Sequence, residues 1–265
     1  MGGIKHLVFA VCLCALSSTC LALGKSEFAP SAMATVNEDG SFAIGKPRNT
    51  IVVLYTPGSD RNDVASPCRW MASAPGIILQ LAGTRIAGKD VLVHGYCSKA
   101  TGTLPERSMA EARAPELERI VRAYVKQGVP TNQIIVAGHS MGGWAALLVG
   151  ARRNVDIAGF IAFAPGNGVW TKDKRGPRHA GAVRRQKTSV EGLERLDGLV
   201  FAFYGDPFNE PGDLEHLAGI PGIVFVATEP CALNAHMTAL YDCFWHQYED
   251  EVRAFIEARV LDAAK

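Results

Sequence analysis

Neither sign of charge is in surplus: 27 lysines and arginines face 26 aspartates and glutamates. A general nucleic-acid binder carries a clear basic excess, so the balance argues against that class. The chain also lacks an H-E-x-x-H pattern or a close His/Asp cluster at ligand spacing. Metal catalysis is therefore disfavoured, and no metal is expected. The N-terminal apolar run, Leu7 to Leu16, is broken by Ser17, Ser18 and Thr19. It falls short of the roughly 20 apolar residues that a stable membrane span needs. There is no internal repeat, and no low-complexity linker splits the chain, which at this length fits one domain better than two.

What is present begins with MGGIKH, then that apolar run, then small residues ending in CLALG. This n-region, h-region and small-residue order predicts a secretory signal peptide over residues 1–24, with a single domain over 25–265 and a secreted or periplasmic location. Four cysteines then remain: Cys68, Cys97, Cys231 and Cys243. An even number in an exported chain predicts two disulfides, and the favoured pairing is Cys68 with Cys97 and Cys231 with Cys243, because the latter pair brackets one short loop.

Six apolar, β-branched runs alternate with helical patterns: 50–55, 90–95, 133–138, 157–164, 198–204 and 222–228. Continuous apolar strands are buried on both sides. The pattern predicts an α/β fold with a mainly parallel, doubly wound sheet, helices on both faces and no large lid domain. Leu117, Ile120, Val121, Tyr124 and Val125 give a helix one apolar face, with Pro115 in its first turn and Gly128 at its end. Tyr248, Val252, Phe255 and Ile256 do the same for a closing helix. Asp39-Gly40 between short apolar stretches suits a hairpin. Residues 171–189 stand apart, with Lys172, Lys174, Arg175, Arg178, Arg184, Arg185 and Lys187 against Asp173 alone. They read as a solvated loop or as a basic flap that attracts an anionic substrate or surface.

GHSMG, residues 138–142, fits G-x-S-x-G at the junction of a strand and a helix, the context that this motif requires. Glycines on either side of Ser140 allow the sharp turn that lifts a nucleophile to the C-terminal edge of the sheet. A serine hydroxyl needs a base, and His236, in a loop after the last strand, reaches the same edge. His246 falls inside the closing helix, His139 points into the fold, and His94 ends another strand with a hydrogen-bonded structural role. The imidazole needs a carboxylate, supplied by Asp206 just past its strand, with Glu210 as the competitor. The oxyanion donors expected are the backbone N–H of Met141 and that of Ser59 or Gly58, since Pro57 has none.

GHSMGG with a late Asp and a later His resembles the α/β-hydrolase superfamily, in particular its compact esterase and dienelactone-hydrolase-like members. The resemblance runs from about residue 50 to the C-terminus. It implies acyl transfer to water through an acyl-serine, without a cofactor, on a small-molecule or polymer-end acyl substrate. Two positions depart from it. Pro57-Gly58 stands where many relatives have His-Gly, and Ser140 stands where dienelactone hydrolases proper have cysteine. The expectation is an exported serine hydrolase acting on a carboxylic ester, thioester or amide. An acyltransferase on the same residues, or a binding protein that kept the scaffold, are the alternatives.

Overall fold

A computed structural model describes residues 37, 39–58, 74–98, 106–166 and 177–262. The expected signal segment, Ser59 and Cys68 lie outside the described residues. Each of the six apolar runs becomes a strand of one sheet: β1 (Thr50–Thr56), β3 (Lys89–Gly95), β4 (Ile134–His139), β5 (Gly159–Phe163), β6 (Gly198–Phe203) and β7 (Ile223–Thr228). A two-residue strand, β2 (Arg85–Ile86), pairs antiparallel with β3, and every other pairing is parallel. The spatial order is β2-β3-β1-β4-β5-β6-β7.

Alternate residues of the central strands feed two apolar layers, which is why these strands read as unbroken hydrophobic runs. Val52, Leu54, Ile134 and Val136 face one layer, with α2 (Glu106–Lys126), α3 (Met141–Arg152) and α5 (Pro211–Ala218). Ile51, Val53, Tyr55 and Ile135 face the other, with α1 (Gly76–Leu79) and α6 (Asp242–Asp262), whose Val252, Phe255 and Ile256 are buried there. From β1 the chain moves outward to β3, then returns across β1 to β4. The carboxyl ends of β1 and β4 thus flank the point where strand order reverses, where open α/β sheets form their ligand crevice.

Three sequence expectations are corrected. Pro115 does not open its helix but lies inside α2, which begins at Glu106. A proline there leaves the carbonyl of residue 111 without its helical donor. Arg152 of α3 supplies one instead, with Nη1 at 3.3 Å from the Glu111 carbonyl. Asp39-Gly40 makes a local turn, in which Gly40 N–H donates to the Asn37 carbonyl at 2.9 Å. It is not a hairpin among the described residues, where Phe42 is an isolated bridge. The basic segment is not a loop from residue 177 onward: α4 (Pro177–Val190) buries His179, Ala182, Gln186 and Val190 on one face and turns Arg184, Arg185 and Lys187 to solvent. A helical spacing of three or four residues lay beneath the charges. Residues 171–176 lie outside the described residues.

Candidate active site

Ser140 sits between β4 and α3 with φ 55° and ψ −123°, a backbone region that side chains rarely occupy. Such a conformation costs on the order of 1–3 kcal/mol and persists only where its surroundings hold it. Here Ser140 N–H donates to the Phe163 carbonyl at 2.9 Å, and the Ser140 carbonyl accepts from Trp144 and Gly166 N–H, each at 3.0 Å. The flanking glycines are explained by space. A Cβ on Gly138 would lie 2.3 Å from the Gly142 backbone, and one on Gly142 would lie 2.2 Å from the Thr56 carbonyl oxygen. Strand β4, the first turn of α3 and the end of β1 therefore approach backbone to backbone, which only glycine permits.

The structure brings Ser140, His236 and Asp206 together from three segments. His236 lies in a 3-10 turn, Ala235–Leu240, and is 6% exposed. Its Nε2 is 2.8 Å from Ser140 Oγ, and its Nδ1 is 2.8 Å from Asp206 Oδ2. Ionised carboxylate only accepts, so Nδ1 carries the proton and Nε2 is free to take one from the hydroxyl. Asp206 is fixed in turn, because its Oδ1 accepts from Phe208 N–H at 2.8 Å. The Phe208 ring lies against the imidazole, with ring centroids 4.4 Å apart. Glu210 is occupied elsewhere: it is the N-cap of α5, and its N–H donates to Asp213 Oδ2 at 3.0 Å.

The turn after β1 closes the site on the other side. A Cβ on Gly58 would lie 3.1 Å from Ser140 Cβ, so this backbone is the neighbour of the hydroxyl. Arg113 of α2, 1% exposed, donates from Nη1 to the Pro57 carbonyl at 2.6 Å and to the Gly58 carbonyl at 3.4 Å. In a planar trans peptide the N–H points opposite to the C=O. Drawing the Pro57 carbonyl toward Arg113 therefore turns the Gly58 N–H away from it. Burial lowers the guanidinium to about 10, which still leaves it charged at neutral pH. Met141 is the first residue of α3, a position whose N–H has no acceptor within the helix.

The remaining histidines divide clearly. His139 is buried, and its Nε2–H donates to the backbone carbonyl of His236 at 2.7 Å. Burial pushes it down to about 3, with the neighbouring His236 adding to the effect. His94 is buried away from the site against Tyr124 and Phe42, and His246 is an exposed residue of α6. Cys231 and Cys243 form a disulfide that closes the loop holding His236. Cys97 is disulfide-bonded as well, while Cys68 lies outside the described residues. Two contributors escaped the sequence reading. Asn209, buried, ties the β5 and β6 loops together through Nδ2–H to the Pro165 carbonyl at 3.0 Å. Arg113 left a visible trace: it is a charge on the α2 stripe that buries Ala110, Ala114, Leu117 and Val121. Among the described residues, no three His, Cys, Asp or Glu side chains converge as a metal site, and no helix is long and apolar enough to cross a membrane.

Comparison with known proteins adds the following. Residues 114–191, which contain the elbow but neither Asp206 nor His236, match the family model described as serine aminopeptidase, S33. No curated protein matches the chain by sequence. Among solved structures, the chain is similar to EstE1, a thermophilic carboxylesterase cloned from a metagenomic library (16% identity, 79% of this chain and 80% of that one, TM-score 0.51). It is also similar to a structure of the metagenome-derived lipolytic enzymes LipS and LipT (12% identity, 78% and 94%, TM-score 0.51). A third is an alpha-beta hydrolase from Vibrio vulnificus (16% identity, 77% and 73%, TM-score 0.50). At these identities the likeness is one of fold.

Proposed function

The chain has the α/β-hydrolase fold, and from that premise we propose that it is an exported serine hydrolase that cleaves a carboxylic ester, or a related thioester or amide, through an acyl-serine. The observation that carries this reading is the unbroken hydrogen-bonded line from Ser140 Oγ through the His236 ring to Asp206, with 2.8 Å at each step. In the first half-reaction Ser140 Oγ attacks the acyl carbon while His236 Nε2 takes its proton. Asp206 holds the imidazole in the Nδ1–H tautomer and stabilises the imidazolium that forms. The oxyanion is met by the Met141 N–H and by a second donor from the turn after β1, where Gly58 is the described candidate and Ser59 the other. His236 then protonates the leaving group. A water molecule, deprotonated by the same nitrogen, releases the acid and restores Ser140.

The proposed substrate is a small-molecule acyl group or the acyl-bearing end of a polymer. The experiment offers the protein short-chain chromogenic esters and a fluorophosphonate probe. Hydrolysis and labelling of the wild type, with neither in Ser140→Ala, support the reading. A folded wild type that is not labelled favours a binding protein on this scaffold. Product esters formed when an acceptor alcohol is added would convert the assignment to acyltransferase. N-terminal sequencing of the protein recovered from the periplasm or medium tests export: an intact Met1 there would refute the expected cleavage.

A further inference from the structure

We propose that His139 is a positioning residue, whose Nε2–H, bonded to the backbone carbonyl of His236, fixes the loop of the proposed base against the elbow of the proposed nucleophile. This rests on the serine-hydrolase reading above. His139 is covalently next to Ser140, so it moves with the elbow. Its bond, at 2.7 Å, ends on residue 236 itself rather than on a neighbour. The imidazole that must meet Ser140 Oγ is thereby tied, through its own backbone, to the residue adjoining that hydroxyl. The disulfide and the Phe208 ring restrain the same loop in other places: Cys231–Cys243 closes its ends, and Phe208 packs on the ring. Neither joins the loop to β4.

The variable place in G-x-S-x-G is thus constrained in this chain. It needs a side chain long enough to reach across to the His236 carbonyl, with a donor at its far end. It must also fit between the turn after β1, where His139 Nδ1 lies 3.4 Å from the position of a Cβ on Gly58, and the His236 ring, with centroids 4.9 Å apart. A charged donor would stand beside the imidazolium that forms during turnover and oppose it. Histidine meets these demands because burial keeps it neutral, with its proton on the nitrogen that faces the carbonyl. Glutamine carries an uncharged donor at a similar reach, whereas asparagine and leucine do not.

The test compares His139→Gln, His139→Asn and His139→Leu in the full chain, each checked for folding by circular dichroism. Misplacement of a reacting group through a remote change costs up to about a hundredfold. Leucine and asparagine are expected to lower kcat about 10- to 100-fold with KM within about twofold, while glutamine stays within about threefold of wild type. Histidine-labelled NMR gives a readout that does not depend on turnover. The His236 Nδ1–H should exchange with water faster in the asparagine variant than in the glutamine variant. Equal kcat in the asparagine and glutamine variants, or equal exchange in the two, would overturn the proposal. Because the exchange measurement needs no substrate, it judges the positioning role even if the fluorophosphonate experiment dismisses the hydrolase reading. If leucine prevents folding, the two amide variants alone decide.

Discussion

Two buried histidines near the ends of parallel strands invite comparison. His94, on β3, is 3% exposed, and its Nδ1 is 2.7 Å from the Tyr124 hydroxyl. His236 is 6% exposed and also has a hydroxyl within hydrogen-bond distance. The difference lies in the other neighbours of the ring. His236 has the Asp206 carboxylate at Nδ1, whereas His94 packs edge-to-face with Phe42, with centroids 4.4 Å apart. Burial pushes His94 down to about 4 against the smaller, opposing pull of the Asp39 charge, and His94 serves to bind the segment around Phe42 to α2. Position at a strand end is thus a weak sign of chemistry, and a carboxylate hydrogen-bonded to the ring is the stronger one.

The sharpest way to break this contrast is to remove a side chain from each cluster. Ser140→Ala or His236→Ala should lower kcat by at least about a thousandfold, while His94→Phe should leave it within about threefold. Steady-state ester hydrolysis measures both. Next in size is the carboxylate. Asp206→Asn should cost about a hundred- to a thousandfold in kcat, and Glu210→Gln only a few-fold, because Glu210 caps a helix. A loss in the second as large as in the first would reassign the acid.

Smaller effects appear in stability. Replacing Cys231 and Cys243 together by serine should reduce unfolding free energy by about 2–4 kcal/mol in urea titrations, since the crosslink closes a loop. The smallest concerns acid. Burial holds His94 at about 4 and His139 at about 3 in the folded chain, below the roughly 6.5 of an exposed imidazole. The unfolded chain takes up protons first, so this stability is whole above about pH 6.5 and is lost as pH falls toward the folded values. At pH 5 each contributes a loss of about 2 kcal/mol. His94→Phe should therefore reduce the fall in urea stability between pH 7.5 and pH 5 by about that amount, and an unchanged slope would show that His94 is not held neutral.

Much of the molecule was legible because its strands are buried on both faces. Runs such as Ile51 to Tyr55 stay apolar on consecutive residues, so each strand announced itself without a partner in view. Strand β2 did not, since two residues have no periodicity and Arg85–Ile86 owes its conformation to pairing with β3. The helix over 177–190 was hidden by its arginines and lysines, whose charge dominates the composition while the packing lies at every third or fourth residue. Residues 140, 206 and 236 could be singled out by type and order along the chain. The donors that orient them could not. His139 bonds to a residue 97 positions away, and Arg113 to one 56 away. Such pairings depend on how two loops pass each other, which no local spacing encodes.

The backbone crowding at Gly138 and Gly142 has a consequence for descent. Every single-base change in a glycine codon that alters the residue introduces a Cβ or a stop, and at either site that atom would land about 2.2–2.3 Å from main-chain atoms. If the hydrolase reading holds, a mutant library aimed at changed selectivity is better spent around Phe208 and the turn at Gly58 than on either glycine.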